Sequence, residues 1–294
     1  MIETGAIEAA LSELADRGVT YEAEGARWLA STRFGDDKDR VLVRSNGEYT
    51  YLAPDIAYHR DKFSRADRLI NVLGADHHGY VVRMKAAMEA LGEDPAHLDM
   101  PITQLVKLMR DGEEVKISKR EGDLIELAEI VEEIGVDATR FTYLLQSVSS
   151  PQTFDLAVAS SRAMDNPVYY VQMAHARMAG IVRNATEVGT ERLPLADVDL
   201  SPLVHERELE VMRQLATFDE IVVLAASEHL PHRVTTWLRE FAAAVHGFYH
   251  DCYVVGEGIE PELTQARLWL VEASTIGLRV GLGLLGVSAP EEMR

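Results

Sequence analysis

The sequence has 294 residues, of which 47% are hydrophobic and 26% charged, and its formal net charge is −19 at pH 7. This composition excludes a largely disordered chain, and the length suits two domains. The single cysteine, Cys252, excludes an internal disulfide framework, and no apolar run reaches the roughly 18 to 20 residues that span a bilayer. We therefore predict a soluble cytoplasmic protein without a membrane partner. The acidic charge disfavours an extended nucleic-acid surface but leaves room for RNA bound through local basic strips.

The first part of the sequence predicts a mixed α/β arrangement. Residues 41–44 and 49–52 are β-prone and flank an Asn-Gly pair, which is typical of a hairpin. The apolar run 69–73 predicts a strand buried on both faces, and 80–91 has helical periodicity with a stop at Gly92. Strand, polar turn and helix in this order indicate a β-α unit.

A second predicted hairpin joins 104–109 to 113–117 through an Arg-Asp-Gly turn. Two helices are predicted over 124–134 and 137–146, separated by a glycine. The sequence Ser-Ser-Pro at 149–151 then breaks the pattern. These elements extend the α/β part of the chain.

Beyond the break the sequence predicts almost only helix. Long helices with short joints favour a compact bundle, so the predicted architecture is an α/β domain over 1–158 and a helical domain over 159–294. Pro231 suits the first turn of its helix, where the missing N–H costs nothing. The predicted helices span 165–185, 203–227, 231–253 and 262–285.

A polar turn follows the predicted strand 69–73 and holds Gly74, Asp76, His77 and His78. In open parallel sheets, ligands bind at such strand ends and helix N-termini. Metal ligands on a helix usually lie one turn apart, whereas these histidines are adjacent, so we predict no protein-bound metal. The turn is instead expected to line a nucleotide pocket.

Tyr51 and Asp55 lie four residues apart at the start of a predicted helix that runs through His59. A carboxylate beside a phenol ring suits a guanidinium group, because the planar cation donates charge-assisted hydrogen bonds and stacks on the ring. The same pattern equally allows Asp55 as a helix cap and Tyr51 as a core residue.

The segment 115–120 reads Val-Lys-Ile-Ser-Lys-Arg and places Lys116 and Lys119 around Ser118, directly after the second predicted hairpin. Two lysines on a loop can grip phosphate groups. Such a pentapeptide alone is more often an ordinary solvated loop, so its significance depends on the neighbouring motifs.

Together these motifs resemble the bacterial arginyl-tRNA synthetases, a family of class I aminoacyl-tRNA synthetases. The segment 116–120 is similar to the Lys-Met-Ser-Lys-Ser element of that class, with Ile117 as a volume-preserving replacement for methionine and Arg120 for the last serine. Several motifs in chain order are more specific than any one of them. The matching segments are 51–59, 74–80, 116–120, 165–172 and 175–177.

The resemblance implies the second half of a class I nucleotide-binding domain, followed by an α-helical anticodon-binding domain. It also implies an ATP-dependent ligase that forms arginyl adenylate and passes the arginyl group to arginine tRNA, with Mg²⁺ carried by ATP. By the same analogy, Tyr51 and Asp55 hold L-arginine, and Gly74, Asp76, His77 and His78 border ATP. Lys116, Ser118 and Lys119 form the catalytic loop, whose lysines contact the triphosphate. The residues expected to contact tRNA are Tyr170, Gln172, His175 and Arg177, although Tyr169 and Tyr170 have packing at the domain junction as an alternative role.

The His-x-Gly-His element of this class has no counterpart in the sequence. Because only 115 residues precede Lys116, we expect the chain to correspond to the C-terminal half of the enzyme and to be inactive alone. The expected partners include a separate N-terminal half, or a second copy bound through an exposed sheet edge, with weak order in 1–60 as the alternative. Two competing hypotheses are a noncatalytic tRNA-binding module and an acidic interaction protein derived from a synthetase.

Overall fold

The structure, a computed structural model, describes residues 5–115 and 126–293. The chain divides into two compact units, and each is described by itself. The first unit runs to Leu105 and includes Val148–Ser150, and the second holds Val106–Ser147 and continues from Pro151. By its contacts, the chain therefore divides earlier than the predicted boundary at 158/159. As a boundary between functional domains, 158/159 stays a prediction.

The first unit combines a three-stranded antiparallel sheet with two two-stranded parallel sheets, and its core includes Leu14, Leu42 and Met84. Its elements are α1 (Ala6–Asp16), β1 (Thr20–Ala23), β2 (Ala26–Leu29), β3 (Arg40–Val43), α2 (Leu52–Phe63), β4 (Leu69–Ile70), β5 (Leu73–Gly74), α3 (His78–Ala90), β6 (Leu98–Asp99) and β7 (Ile102–Thr103).

The hairpin β1–β2 is absent from the sequence prediction. It turns at Glu24 and Gly25, which both have positive φ, at 55° and 71°. Asparagine and aspartate tolerate this conformation better than glutamate, so Glu-Gly is a weak turn signal. The tertiary pairing of β2 with β3 supports the hairpin in its place.

The predicted Asn-Gly turn forms, but the predicted second arm does not. The Arg44 N–H donates to the carbonyl of Glu48 at 2.9 Å, which closes the turn. Beyond it, Tyr49 pairs with Val43 only through an isolated bridge, and α2 begins at Leu52. The strand predicted over 49–52 is therefore wrong, because helix α2 takes its last residue.

Strands β4 and β5 pair in parallel with β6 and β7 and confirm a strand in the predicted apolar run. Between the two pairs, the Asn71 N–H donates to the carbonyl of Asp99 at 2.8 Å. The predicted burial on both faces is wrong, since Ile70 and Val72 are 52% and 64% exposed. Helix α3 ends as predicted before Gly92, which has a φ of 88°.

The second unit places a three-stranded sheet before a helical bundle. Strand β8 pairs antiparallel with β9 and parallel with β10. Its elements are β8 (Val106–Arg110), β9 (Glu113–Glu114), α4 (Leu127–Ile134), α5 (Val136–Tyr143), β10 (Gln152–Asp155), α6 (Leu156–Ser160), α7 (Pro167–Glu187), α8 (Glu206–Ala216), α9 (Phe218–Ser227), α10 (His232–Asp251) and α11 (Pro261–Leu284).

The positive φ values at Asp111 and Gly112, 52° and 81°, confirm the turn of the second predicted hairpin. Gly135, with a φ of 86°, separates α4 from α5 as predicted. Strand β10 was not predicted, because the sequence after Pro151 indicated almost only helix. This four-residue strand forms through its pairing with the distant β8, which local sequence does not encode.

The helix predicted over 203–227 is two helices, α8 and α9. At the break, the carbonyl of Gln214 accepts hydrogen bonds from Trp237 Nε1 and from the hydroxyl of Thr217, both at 2.9 Å. A carbonyl engaged by side chains is withdrawn from the regular i to i+4 ladder. A tryptophan on another helix therefore stabilises a break that no glycine or proline signals.

The packing of α11 against α10 gives a test of the bundle. A Cβ atom on Gly277 would lie 2.9 Å from Leu215 Cδ2 and 3.1 Å from Phe241 Cε1, whereas a Cβ on Gly283 would meet open space. Overpacking costs about 1–3 kcal/mol, against a gain in helix propensity of about 1 kcal/mol. We expect Gly277→Ala to lower the free energy of unfolding and Gly283→Ala to leave it equal or higher. Urea denaturation of both variants measures this, and a G277A variant as stable as G283A would contradict the described packing.

Candidate functional site

The carboxylate of Asp55 is oriented by a phenol from another helix. Asp55 lies in the first turn of α2, and its Oδ2 accepts a hydrogen bond from the hydroxyl of Tyr80 on α3. Burial, with the adjacent carboxylate, raises the pKa of Tyr80 above its ordinary value, so the phenol remains a donor at neutral pH. Tyr80 lies inside the motif 74–80, yet the sequence did not assign it this role.

The ring of Tyr51 precedes α2 and is 88% exposed. The alternative of a core residue is therefore wrong for Tyr51. The alternative of a helix cap is wrong for Asp55, because Tyr51 occupies the capping position and the structure shows no side-chain cap there. An exposed phenol near an oriented carboxylate is compatible with the predicted guanidinium site, which stays a prediction.

A hydrogen-bonded chain supports the backbone of Asp55. His59 Nδ1 lies 2.7 Å from the carbonyl oxygen of Asp55, which can only accept, so Nδ1 carries the proton. The other ring nitrogen then accepts from the amide of Asn71, whose Oδ1 accepts from Lys62 at 2.8 Å. Burial lowers the pKa of His59, so the ring is neutral at pH 7. The spacing of four residues between Asp55 and His59 on one helix was the available signal for this contact.

The predicted ATP-binding turn lies at the carboxyl end of the parallel strands. Gly74 pairs with Thr103, and the chain continues through a single 3₁₀ turn (Ala75–His77) into α3. Asp76, His77 and His78 are exposed along this turn.

Tyr80 links the predicted ATP-binding turn to the carboxylate of Asp55. The ring of His77 lies edge-on to Tyr80, with 6.2 Å between ring centroids, and Tyr80 also donates to Asp55. The structure therefore brings the predicted arginine and ATP positions of the first unit to one place.

The predicted catalytic residues Lys116, Ser118 and Lys119 lie outside the described residues. The described chain leads to this segment through the hairpin β8–β9, up to Val115, and resumes at Glu126 before α4. The role of the lysines stays a prediction.

Two of the four predicted tRNA-contacting residues are packed against the C-terminal segment. Gln172 is 8% exposed, and its amide donates to Asp137 at 2.8 Å and to the carbonyl of Ser288 at 3.0 Å. His175 is 2% exposed, and its Nδ1 lies 2.9 Å from the carbonyl of Pro290. These contacts give both side chains a packing role and do not support a direct tRNA contact, which stays a prediction.

Arg177 and Tyr170 are half-buried on the same helix. The guanidinium of Arg177 lies over the ring of Tyr249, 5.0 Å from its centroid. The ring of Tyr170 packs edge-on against His246, with 4.5 Å between ring centroids. Arg177 is thus directed to a surface, whereas Tyr170 packs within the helical bundle. The packing at the domain junction that was left open for Tyr170 stays a prediction.

Arg177 lines a groove of about 900 Å³ between α7 and the end of α10. Two arginines and two tyrosines with exposed rings border it, which is a combination that binds single-stranded nucleic acid through phosphate contacts and base stacking. The groove also contains Cys252, whose pKa is raised by burial, so its thiol is protonated at neutral pH. The polar and aromatic residues that border the groove include Arg177, Arg183, Tyr249, Tyr253 and Glu292.

Among the residues that the structure describes, no three His, Cys, Asp or Glu side chains are placed to hold a metal ion. Within 5–115 and 126–293, no helix is long and apolar enough to cross a membrane.

Comparison with known families gives two matches in chain order. Residues 2–159 match the family described as tRNA synthetases class I (R), catalytic domain. Residues 171–293 match the family described as DALR anticodon binding domain.

The chain is also similar to curated bacterial proteins. It is 46% identical over 294 residues to an arginine–tRNA ligase of Bacillus subtilis (strain 168), and 49% identical over 296 residues to one of Geobacillus thermodenitrificans (strain NG80-2). Each alignment covers 100% of this chain and 52% of the relative, so the chain spans about half the length of these proteins. The solved arginyl-tRNA synthetase of Thermus thermophilus shares the fold, with a TM-score of 0.79 at 23% identity over 98% of this chain and 58% of that chain.

Proposed function

Because the chain belongs to the arginyl-tRNA synthetase family of class I tRNA synthetases, we propose that it is part of an ATP-dependent arginine–tRNA ligase. The observation that carries this proposal is the catalytic-domain match over 2–159, followed in order by the anticodon-domain match over 171–293. The chain covers 52% of its relatives. The activity is therefore proposed for an enzyme that combines these residues with the part of the relatives that this chain does not cover. The proposed compartment is the cytoplasm.

Asp55 is the proposed anchor for the guanidinium group of L-arginine. One carboxylate oxygen is held by Tyr80, which fixes the plane in which the other oxygen is presented. A guanidinium binds a fixed carboxylate through charge-assisted hydrogen bonds, and the exposed ring of Tyr51 offers a stacking face. This arrangement favours the planar cation of arginine over the compact ammonium of lysine.

ATP is proposed to bind along the turn of Gly74, Asp76, His77 and His78, with Mg²⁺ entering on the nucleotide. The turn follows the carboxyl end of β5 and leads into the N-terminus of α3, where backbone N–H groups favour anions. The enzyme first joins the arginine carboxylate to the α-phosphate of ATP and releases pyrophosphate. It then transfers the arginyl group from the adenylate to a hydroxyl of the terminal ribose of arginine tRNA, and AMP leaves.

Lys116 and Lys119, with Ser118 between them, are proposed to contact the triphosphate as pyrophosphate leaves. A lysine contact lowers the barrier only if it is stronger in the transition state than in the ground state. We expect Lys119→Ala to lower the rate of arginine-dependent ATP–pyrophosphate exchange about 100-fold, with little change in the KM for arginine.

The exchange assay uses a chimera in which this chain replaces the aligned part of the Bacillus subtilis relative, with arginine tRNA present. The chain alone is the comparison, and we expect it to show little exchange. Lys85 lies on α3, outside the segment 116–120, and provides the control Lys85→Ala. A folded chimera without arginine-dependent exchange would count against the proposed function, and a raised KM with an unchanged rate in K119A would count against the proposed role of Lys119.

The proposed tRNA contact is the groove beside α7. Arg177 can neutralise a phosphate, and Arg183 can do so in exchange for its exposed ion pair with Glu292, which lies at 3.8 Å and also lines the groove. Tyr249 and Tyr253, 45% and 76% exposed, can stack on unpaired bases. The net charge of −19 repels RNA, so the proposed contact depends on these few local cations.

A second candidate function is a noncatalytic tRNA-binding module. The observation that favours it is that every residue lining the groove belongs to the second unit. In this case the chain would bind arginine tRNA in preference to other tRNAs, and the preference would be lost on deleting 160–294. A chimera active in exchange would reject this candidate as a full description.

Partners for the first unit are proposed at its exposed apolar residues. Ile70, Val72 and Leu105 are 52%, 64% and 84% exposed. Ile70 and Val72 lie in the segment of the parallel strands β4 and β5, where apolar residues are normally buried. A polypeptide carrying the remaining part of the family, or a second copy of this chain, would cover them. Size-exclusion chromatography with light scattering separates the two, because a monomeric chain would exclude the second copy.

A further inference from the structure

His246 occupies a position between Arg177 and the backbone of α7. Its Nδ1 lies 2.8 Å from Nη1 of Arg177, and its Nε2 lies 3.0 Å from the carbonyl oxygen of Tyr170. A guanidinium can only donate and a carbonyl can only accept. Nδ1 must therefore be the acceptor and Nε2 must carry the proton, which defines one neutral tautomer of the ring.

Arg177 is held from two sides by residues of α10. His246 accepts one of its N–H groups, and the ring of Tyr249 lies against the guanidinium at 5.0 Å from the centroid. Both residues restrict the side chain to the direction in which it lines the groove. An arginine that is already ordered loses less conformational entropy when it binds a phosphate.

We propose that His246 is a positioning residue that holds Arg177 in its RNA-binding orientation and releases it when the imidazole is protonated. The inference rests on the proposed tRNA contact at the groove. It assigns a role to a side chain that does not itself need to touch RNA. It also makes the strength of RNA binding depend on pH through one identified group.

The charges around His246 favour its neutral form. Burial lowers its pKa, and the neighbouring Arg177 lowers it further, against the opposing effect of the hydrogen bond to Tyr170. Burial raises the pKa of Tyr170, so its phenol is uncharged at neutral pH. From α8, Arg207 lies against the adjacent Gly247, and it is paired with Asp251 at 2.7 Å.

The sign of the pH effect follows from this lowered pKa. Above the ordinary histidine value of about 6.5, the ring is neutral whether or not the contact forms, and the contact is fully available. As the pH falls below that value, His246 without the hydrogen bond to Arg177 takes up a proton more readily than His246 with it. The contact between His246 and Arg177 is therefore weakened progressively on acidification, and it is lost below the pKa that the ring has within the contact.

The test measures the affinity of the chain for an arginine tRNA transcript at pH 7.5 and pH 5.5. His246→Gln keeps an acceptor for Arg177 and a donor for Tyr170 without titrating, whereas His246→Phe keeps a ring and removes both hydrogen bonds. At pH 7.5 we expect H246F to bind about 10-fold more weakly and H246Q within about twofold of the unsubstituted chain. On acidification, the unsubstituted chain should lose about 5- to 10-fold in affinity relative to H246Q.

The matched control is His232→Gln, because His232 lies on the same helix and burial also lowers its pKa, while it is not among the residues lining the groove. H232Q should keep the pH dependence of the unsubstituted chain. An H246F variant that binds as well as the unsubstituted chain, or an H246Q variant with the same pH dependence, would overturn the role of His246. If the unsubstituted chain bound no arginine tRNA at pH 7.5, the proposed tRNA contact would fail together with this inference.

Nitrogen NMR of the imidazole gives a readout that needs no RNA. We expect the proton on Nε2 at pH 7.5, and a pKa below about 6.5 that rises when Arg177 is replaced by methionine. A proton on Nδ1 would overturn the geometry on which the inference rests, even if the chain binds tRNA.

Discussion

Asp55→Asn is expected to raise the KM for arginine about 100-fold in the chimeric ligase, with a much smaller change in kcat. The reason is the loss of the charge that faces the guanidinium group. Removing one partner of a close, desolvated charge pair costs about 2–5 kcal/mol, and each 1.4 kcal/mol is about tenfold in affinity. The guanidinium lies far from the reacting carboxylate of the substrate, so its contact should be equal in the ground and transition states and affect mainly KM.

The control for this substitution is Asp61→Asn on the same helix. Asp61 pairs with Arg65 at 2.7 Å, and the side chains are 59% and 63% exposed, so the pair should contribute little. Tyr80→Phe is expected to shift KM in the same direction as D55N by a smaller factor, because it removes the donor that orients Asp55. Equal KM values for D55N and D61N in arginine-dependent exchange would contradict the assignment of Asp55.

Arg267→Met is expected to destabilise the second unit by about 3–5 kcal/mol, because it leaves a buried carboxylate without its cation. The side chain of Glu208 is 1% exposed, and Oε1 accepts from Arg267 Nε at 2.7 Å. The second oxygen accepts from the backbone N–H of His205 at 2.8 Å, which locks the carboxylate inside the bundle. Methionine fills a similar volume, so the loss should reflect charge more than packing.

Urea denaturation followed by circular dichroism measures this effect. Arg213→Met is the control, since Arg213 makes ion pairs with Glu206 and Glu210 on the surface of α8, and no resolvable change is expected there. The double variant Glu208→Met with Arg267→Met should recover part of the loss, because it removes the unpaired charge. An R267M variant as stable as R213M would show that the pair is not buried as described.

The long elements of the fold could be predicted because their signals are local. Helices α7, α10 and α11 have apolar periodicity with prolines or glycines at their ends, and each forms close to its predicted span. The turn at Asp111 and Gly112 forms for a similar reason, since glycine follows a residue that tolerates positive φ.

The elements that could not be predicted depend on distant partners. Strand β10 is four residues long and exists through its pairing with β8, more than 40 positions earlier. The break at Thr217 depends on the indole of Trp237, which reaches the carbonyl of Gln214 from another helix. Neither contact leaves a periodic trace in the sequence around it.

In the candidate site, too, the sequence indicates single residues but not the distant residues that they contact. The motifs identify Asp55, but its partner Tyr80 is 25 positions away, and only the packing of α2 with α3 brings them together. Gln172 and His175 are predicted to contact tRNA and yet are buried, because the C-terminal segment accepts hydrogen bonds from Nε2 of Gln172 and Nδ1 of His175. A motif therefore indicates where a candidate site lies in the sequence, but it does not distinguish a residue that binds the ligand from one that supports the binding residue.

The most direct measurement is aminoacylation of arginine tRNA by the chimera that carries this chain in place of the aligned part of the Bacillus subtilis relative. We predict formation of arginyl-tRNA that depends on ATP and arginine and is strongly reduced by Asp55→Asn. A folded, monodisperse chimera that charges arginine tRNA with no amino acid, or with lysine as readily as with arginine, would contradict the proposal that these residues form the arginine-binding and tRNA-binding half of the ligase.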